Sequence, residues 1–562
     1  MYAWLIPLLP LLTALIVAVG DDASRRARTQ LAIFPIGAAF CGAVATLYLV
    51  ATQGPISLHF YDPASTASLT FPIGFYIDRL SAVMMVLISG IGTVIYAYSI
   101  DYMYQDPHEP RYLALIGLAL FVLLCLVSSA NLMMLFLFWQ LLSFLLYLLA
   151  HNHTHAGTLE GAFKTFTLLR VGDVTFLAGI VLAYALYGTL EFPAVFAKAA
   201  ESSVTFSPLP GLDISGATAV TLLLFIGGMS KSAQFPFHIW LPHYLYAPTP
   251  ATALLHAGII NAGGFLINRL APLFGLSSMT LHVAFVVGTL TAVLGASMML
   301  AQNDIKKTLG FSTVGQMGYM IMECGLGAFS LAVFHLIAHG LFKATMFLNS
   351  GNVIHKARQE AHFPHADRQE EEQAFSPLTW STGFATTLMI PLLILLVTHG
   401  VLRIPLLESQ GTVIFLFFIW ITSSQAILTL TRLRAVPSWE VSAAMLVTLL
   451  FVVFVYLFAV ESFTAFLYPN PAEVASYFQA ADLPNWLFDS IVLMATVLTV
   501  LSWCYLYLRA HGRTVWMPAW VEGLRIRLYV LFMNRLYVDG LYGQLGQAIA
   551  QTARRLDNRT ER

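Results

Sequence analysis

Long apolar stretches separated by short polar segments recur along the whole chain. Most are about 20 residues long, the length at which an α-helix crosses a hydrocarbon core of about 30 Å. The fold class indicated is all-α, a polytopic membrane protein. The pattern predicts fifteen spanning helices, numbered here as predicted helices 1 to 15: 3–20, 31–50, 74–100, 112–128, 131–150, 164–187, 217–237, 251–273, 279–301, 306–325, 329–351, 376–399, 411–431, 440–466 and 487–508.

Composition agrees with this pattern. Of 562 residues, 58% are hydrophobic and only 10% are charged, too few to cover a soluble protein of this size. The four cysteines stand singly in apolar runs, which excludes a disulfide framework or a zinc site made of cysteine. The apolar start, WLIPLLPLLTALIVAVG, has no basic leader, so we expect a first spanning helix there and not a signal peptide.

Basic residues predict the orientation. Of the 28 lysines and arginines, twenty-one fall in alternate loops beginning with 21–30 or in the C-terminal tail. Only three, Lys198, Arg269 and Arg403, are assigned to the opposite loops. Lysine and arginine concentrate on the cytoplasmic side of membrane proteins. The N-terminus is therefore expected outside and the C-terminus in the cytoplasm, at the cell inner membrane.

The stretch from 227 to 269 contains the most informative polar group. Lys231 lies inside an apolar helix and Pro236 follows it, with further prolines before the next helix. A lysine at bilayer depth costs roughly 2.5–3.5 kcal/mol on insertion scales. A proline beside it frees backbone groups that protein or water must cover. A charge next to a broken helix is typical of ion pathways, so predicted helix 7 is the expected centre of one.

Charged residues also enter predicted helices 3 and 6. Asp78 and Arg79 open helix 3 and form either a structural pair near the membrane surface or part of an ion route. In helix 6, Lys164 precedes Arg170 and Asp173, which are three residues apart and share a face. Their pairing is either structural or controls the protonation of a neighbouring lysine.

Histidines lie in the later helices. His256 follows Lys231 by one helix and is either a core residue or a proton relay. In predicted helix 11, His335, His339 and Lys343 recur every four residues and form one polar stripe. This stripe favours an ion pathway over hydrogen bonding between helices. The run HNHTH at 151–155 is weak support for a metal, and no metal site is predicted.

Two other segments permit two interpretations each. The tail 509–562 mixes arginines with large apolar residues, as in a helix on the cytoplasmic membrane surface or a surface for a partner subunit. The loop 352–375 is a solvated connector or a partner contact. Pro391 interrupts predicted helix 12 as Pro236 interrupts helix 7, but Thr386 stands where the lysine would be.

Several motifs together resemble the antiporter-like membrane subunits of respiratory complex I, of the NuoL or NdhF type, and of Mrp sodium/proton antiporters. The resemblance is densest from about 74 to 355 and is carried by FYIDRLSAVM, KTFTLLRVGD, GGMSKSAQFPFHIWLPHYLYAPTPATALLHAG, NDIKKTLGFSTVGQMGYM and HLIAHGLFKATMFLNSG. It implies two inverted five-helix repeats with broken helices 7 and 12. It also implies a hydrated proton path through Lys231, His256, His335, His339 and Lys343.

The resemblance implies a division of the chain into N-terminal helices, two repeats, C-terminal helices and a cytoplasmic tail: 1–111, 112–273, 279–431, 440–508 and 509–562. Lys307, in the fourth motif, completes the candidate residues. Two departures stand out. Gln140 occupies the position at which the family carries a glutamate that partners the helix 7 lysine, and the second broken helix lacks its charged residue. Another acid must then serve Lys231, and Asp173 is the first candidate.

Those departures and the chain length resemble the DabB family, the membrane subunits of DAB inorganic-carbon pumps. That resemblance implies a DabA-like cytoplasmic zinc partner, similar to β-carbonic anhydrases, and a cation path in this chain that powers bicarbonate formation. Zinc is then expected in the partner and no cofactor in this chain; the expected contacts are that partner and membrane lipid, and no nucleic acid. The alternatives are a complex I or Mrp-type subunit and a scaffold without conduction. No phosphate-binding loop or nucleophile arrangement indicates an enzyme site.

Overall fold

The computed structural model describes residues 3–19, 25–61, 72–104, 106–150, 156–209, 212–244, 247–359, 461–491 and 519–544, with a few positions between 493 and 501. Predicted helices 12 and 13 and most of 14, the HNHTH run and most of the loop 352–375 lie outside the described residues. Pro391 and Thr386 lie outside them as well, so the predicted second repeat stays a prediction.

Six helices form the N-terminal part of the chain. They are α1 Leu5–Ala18, α2 Arg25–Leu31, α3 Ile33–Gln53, α4 Arg79–Tyr102, α5 Glu109–Val127 and α6 Leu132–Ala150. Between α3 and α4 an antiparallel hairpin pairs β1 Ile56–Tyr61 with β2 Ile73–Ile77. Helices α1, α3, α4 and α5 pack side by side, because each presents small and branched apolar residues to its neighbour.

The next part carries the candidate chemistry. Its first elements are α7 Ala156–Tyr187, the short α8 Phe192–Glu201, and a hairpin of β3 Thr205–Leu209 with β4 Leu212–Ser215. The segments after the hairpin are shorter: α9 Gly216–Lys231, α10 Trp240–Tyr244, α11 Thr249–Ala257, α12 Ala262–Arg269 and α13 Ala271–Phe274. Single 3-10 turns at Phe237–Ile239 and Ile259–Asn261 separate some of them.

Three long helices follow: α14 Ser278–Ala301, α15 Ile305–Gly325 and α16 Phe329–Gln359. Helices α14 and α15 approach closely along their whole length, because glycines replace side chains at the contact. A Cβ atom on Gly288 would lie 2.4 Å from the Met322 nitrogen, and one on Gly318 would lie 2.4 Å from the Ala292 nitrogen. Close backbone approach through small residues is a common way for helices to associate in a membrane.

The chain divides into two compact units. One contains Met1–Gly325, Leu331–His355 and Arg525–Arg562. The other contains Leu326–Ser330 and Lys356–Leu524; in its described part, α17 Pro471–Ala481 places Tyr477 edge-on to Phe329, with ring centroids 5.1 Å apart. In the tail, α18 Ala519–Met533 is followed by a turn at Arg535–Tyr537.

The described residues are mostly helical, as the sequence predicts. Within them, eight helices are long and apolar enough to span a membrane, and α1 and α9 are shorter apolar helices. The sequence pattern missed the two hairpins and α8, because short strands and surface helices lack a long apolar run. Predicted helix 3 was placed too early: residues 73–77 are strand β2, and α4 begins at Arg79 with Asp78 as its cap.

Two further corrections concern predicted helix 8. It is not continuous, because the 3-10 turn at Ile259–Asn261 interrupts it after Gly258. Arg269, assigned by the pattern to an external loop, is the last residue of α12 and is only 4% exposed. Its guanidinium lies 2.6 Å from Asp78 Oδ2 and also donates to the Ser81 hydroxyl. Asp78 therefore pairs with Arg269.

This pair ties the start of α4 to the end of α12. The guanidinium carbon also lies 5.5 Å from the ring centroids of both Phe192 and Phe265. Removing one partner of a buried ion pair leaves a charge in an apolar site, which costs about 3–5 kcal/mol.

We expect Asp78→Asn to destabilise the protein by about 3 kcal/mol, because asparagine still caps α4 but leaves the Arg269 charge unbalanced. Thermal unfolding of the detergent-solubilised chain measures the effect. Asp304→Asn is the matched control, since Asp304 caps α15 at the Lys307 nitrogen from an exposed position. Equal melting temperatures for the two variants would contradict the stabilising role of the pair.

Candidate functional site

Lys231 is the last residue of α9 and is completely buried. The helix ends there, five residues before Pro236, and Ala233 takes up a left-handed φ of 50°. Neighbouring segments cover the freed backbone: the Trp240 indole donates to the Ser230 carbonyl at 2.9 Å, and the Ser232 hydroxyl donates to the Ile260 carbonyl at 2.7 Å. Protein groups thus satisfy the interruption at membrane depth.

Among the described residues, the Lys231 ammonium contacts only neutral groups. It donates to the Trp139 carbonyl at 3.0 Å and to the Ser143 hydroxyl, both on α6. It also lies 4.8 Å from the centroid of the Trp139 ring, a cation–π contact. A buried charge is usually paired with an opposite charge. The immediate neighbours of the lysine therefore stabilise its ammonium form only weakly.

Trp139 hydrogen-bonds to both Asp173 and Lys231. The Trp139 indole nitrogen donates to Asp173 Oδ1 at 2.9 Å, while the carbonyl of the same residue accepts from Lys231. The Arg170 guanidinium lies 2.8 Å from Asp173 Oδ2 and also donates to the Gln140 side-chain oxygen. Asp173 thus stays the first candidate acid for Lys231, although among the described residues it forms its ion pair with Arg170 and not with Lys231.

A second group of polar residues lies where α11 meets α16. His256 is completely buried beside the break in predicted helix 8, and its ring stacks on Phe347 with centroids 4.3 Å apart. Helix α16 can approach this break because residue 340 is glycine: a Cβ atom there would lie 2.8 Å from the Ala257 carbonyl oxygen. The break and the polar stripe are therefore neighbours.

The stripe residues occupy one side of α16. The rings of His335 and His339 lie 6.2 Å apart, and Lys343 donates to the Leu309 carbonyl at 3.3 Å. His256, His335 and Lys343 all lie near enough to act electrostatically on His339.

Both ring nitrogens of His256 and both of His339 are buried without a partner among the described residues. Buried polar groups are normally hydrogen-bonded, so four such nitrogens in one region need an explanation.

Sequence reasoning missed Glu323. This carboxylate on α15 is 3% exposed, and its Oε2 lies 3.0 Å from His335 Nδ1. Gln316, also on α15, places its oxygen 3.0 Å from His335 Nε2. The sequence did contain a sign of this site, because Glu323 is the single carboxylate in a helix that was predicted to span the membrane.

Three candidate residues lie apart from these groups. Lys164 is exposed near the start of α7, Lys307 is half-buried in the first turn of α15, and Asp78 is held by Arg269. None of them contacts Lys231 or the stripe in the described part of the chain. Among the described residues, no three His, Cys, Asp or Glu side chains come close enough together to hold a metal ion.

Comparison with known proteins identifies the family of the chain. Residues 129–423 match the family model described as NADH:quinone oxidoreductase/Mrp antiporter, TM, and residues 64–113 match the N-terminal model of complex I chain 5. The chain is 38% identical over 562 residues to the "probable inorganic carbon transporter subunit DabB1" of Halothiobacillus neapolitanus, covering 99% of this chain and 98% of that protein.

Other relatives match over shorter stretches. NAD(P)H-quinone oxidoreductase chain 5 of Synechocystis is 38% identical over 63% of this chain and 53% of its own length. NADH-quinone oxidoreductase subunit L of Neisseria meningitidis is 35% identical over 60% of this chain and 50% of its own length. The chain thus spans about half the length of these two oxidoreductase relatives.

A solved structure shows the same fold. A chain of the Mrp complex from Dietzia superposes with a TM-score of 0.58 at 23% identity, covering 99% of this chain and 60% of that chain. Together with the sequence matches, the lysine at a broken helix and the histidine stripe, this leads to one conclusion: the chain is a polytopic membrane subunit of the NADH:quinone oxidoreductase/Mrp antiporter family.

Proposed function

We propose that this chain is the cation-conducting membrane subunit of an energy-coupled inorganic-carbon uptake complex, and that the cation is the proton. It would power a cytoplasmic, carbonic-anhydrase-like partner that holds zinc and forms bicarbonate from CO2. The similarity to DabB1 along nearly the whole length of both chains supports the class of complex. The observation that carries conduction is the completely buried Lys231 at a broken helix, whose contacts within the described part of the chain are all with neutral groups.

Lys231 would act as the central proton carrier. Burial disfavours the ammonium, while the Asp173 carboxylate behind Trp139 favours it. Arg170 contacts both Asp173 and Gln140. When the guanidinium moves towards Gln140, the field of Asp173 on Lys231 grows and the amine holds its proton. When Arg170 returns to Asp173, the field weakens and the proton leaves. Gln140 would thus provide a neutral hydrogen-bond acceptor for Arg170 when the guanidinium leaves Asp173.

The second group would continue the path. His256 and His339 keep all four ring nitrogens free of partners in the described part of the protein. An imidazole can accept a proton on one nitrogen and release one from the other. We propose that water bridges these rings to each other and to Lys231, and that Lys343 forms the next station. In the orientation predicted from basic residues, the N-terminus lies outside the inner membrane and the tail lies in the cytoplasm.

The alternative is a proton-pumping subunit of complex I or a subunit of an Mrp-type antiporter. The family-model matches and the fold of the Mrp chain favour it. The chain 5 and subunit L relatives, however, match only 63% and 60% of this chain, whereas DabB1 matches 99% of it. A third possibility, a scaffold that only recruits its partner, predicts that conduction residues can be replaced without effect.

We expect Lys231→Ala to lower proton flux at least about 100-fold, because it removes the central carrier. The measurement is dye-reported acidification of proteoliposomes that contain the full chain with its co-purified subunits, under an imposed potential. Lys198→Ala is the matched control, because Lys198 also donates to a backbone carbonyl, that of Tyr187 at 2.9 Å, but does so from α8. Full flux in the Lys231 variant would favour the scaffold.

We expect the native complex to contain a large soluble zinc protein, and the two genes together to rescue a carbonic-anhydrase-deficient bacterial host at ambient CO2. Mass spectrometry and metal analysis of the purified complex test the first point, and growth tests the second. Co-purification of quinone-reducing or Mrp-type membrane subunits, without rescue, would contradict the carbon-uptake assignment and favour the alternative.

We expect Gln140→Glu to raise the pH of half-maximal proton flux by about one unit. The added carboxylate increases the negative field near Lys231, and an opposite charge favours the ammonium. Flux measured across a pH series tests this. Gln53→Glu adds the same charge at the exposed end of α3 and should leave the profile unchanged. An unshifted profile in the Gln140 variant would contradict the role given to Lys231 as the group whose protonation controls flux.

A further inference from the structure

The described part of the chain contains three buried carboxylates, and their partners differ. Glu109 lies 2.9 Å from Arg25, and Asp173 lies 2.8 Å from Arg170. Arginine stays charged at any physiological pH, so these two pairs can only balance charge. Glu323 alone among the three has histidine as its partner, with Oε2 3.0 Å from His335 Nδ1. Unlike arginine, the histidine of this pair can exist in a neutral as well as a charged form, so the pair can hold a proton on either partner.

The hydrogen bonds of His335 define where the proton can sit. Its Nδ1 faces the Glu323 carboxylate, and its Nε2 faces the Gln316 side-chain oxygen at 3.0 Å. With Nε2–H donating to Gln316, one further proton lies between Nδ1 and Oε2. On Nδ1 it gives an imidazolium beside a carboxylate. Transferred to Oε2 it gives a neutral imidazole beside a carboxylic acid, with atoms and charge conserved.

The position of the pair suits one end of the path. Glu323 lies near the end of α15 and His335 near the start of α16, so both are close to the turn between these helices. Lys343 lies eight residues further along α16, about 12 Å away at 1.5 Å per residue. His335 is 12% exposed and Gln316 is exposed, so the pair connects a buried acid to an accessible amide.

Several neighbours of the pair in the described part of the protein are neutral groups. On α15, the neighbours are the Cys324 thiol and the Tyr319 ring, whose centroid lies 5.2 Å from that of His335. On α16, the next titratable group is His339, whose ring lies 6.2 Å from that of His335. From α12, Asn268 donates to the Cys324 sulfur at 3.6 Å. Among these groups, the nearest imidazole to His335 is therefore that of His339.

We propose that Glu323 and His335 form the outer proton-loading site of the conduction path, which exchanges protons with the external side and passes them to His339. This inference rests on the proposed function and on the predicted orientation, in which the turn between α15 and α16 faces outside. It gives the chain a titratable acid in the membrane, a role that Gln140 cannot fill.

The first test is proton flux through proteoliposomes that contain the full chain with its co-purified subunits. We expect Glu323→Gln to lower flux at least about tenfold and Glu323→Asp to retain more flux than the glutamine variant. Glu109→Gln, which removes an equally buried carboxylate from an arginine pair, should leave flux within about twofold of the unsubstituted chain, well below the effect of losing a proton-transfer group.

Lys231→Ala separates this inference from the proposed function. If that variant is inactive while Glu323→Gln keeps full flux, the loading site is wrong and the conduction path stands. If Lys231→Ala also keeps full flux, the proposed function itself fails.

The second test does not depend on transport. In infrared difference spectra after an acid jump, the chain should gain the carbonyl-stretch band of a protonated carboxyl. Glu323→Gln should lack this band and Glu109→Gln should keep it. Identical spectra for the unsubstituted chain and the Glu323 variant would overturn the proposal, whether or not the variant is less stable.

Discussion

The constraint on which the site depends is a buried ammonium that has no contacting counter-ion among the residues that the structure describes. Lys231 is completely buried, and a carbonyl and a hydroxyl of α6 are its hydrogen-bond acceptors. Such a charge is costly in a low-dielectric interior unless something offsets it. The chain offsets it in part by ending α9 at this residue, because the carbonyl end of a helix favours a cation. The Trp139 ring makes a cation–π contact with the ammonium, and its indole nitrogen donates to the Asp173 carboxylate.

Neighbouring segments of the fold pack against the two helix breaks. At the interruption after Lys231, the Trp240 indole donates to the Ser230 carbonyl. The Ser232 hydroxyl donates to the Ile260 carbonyl at the second interruption. Protein groups thus satisfy these two carbonyls. The interruption after Gly258 lies against α16, whose glycine at 340 lets the helix approach. Each break therefore places a titratable side chain, Lys231 or His256, beside a second helix that carries polar groups.

Parts of this arrangement were readable from the sequence. Pro236 predicted the first break, and the three-residue spacing of Arg170 and Asp173 predicted their ion pair. Both predictions were possible because each depends only on residues close together in the sequence. The second break was missed, since it contains glycine and no proline at the turn itself. The role of Trp139 was also missed, because a tryptophan in an apolar helix gives no sign that its carbonyl and its indole serve different helices. Arg269 was wrongly assigned to a loop, because an arginine at the end of an apolar segment is typical of a loop residue. Its burial depends on Asp78, a partner far away in the sequence.

The central claim is that these buried basic groups line a wetted passage. Solid-state NMR of the complex in bilayers, with nitrogen-15 in lysine and histidine, detects magnetisation transferred from water to Lys231 Nζ and to the rings of His256 and His339. The account predicts rapid transfer from water to all three side chains. Transfer from lipid acyl chains to these nitrogens, with none from water, would contradict it.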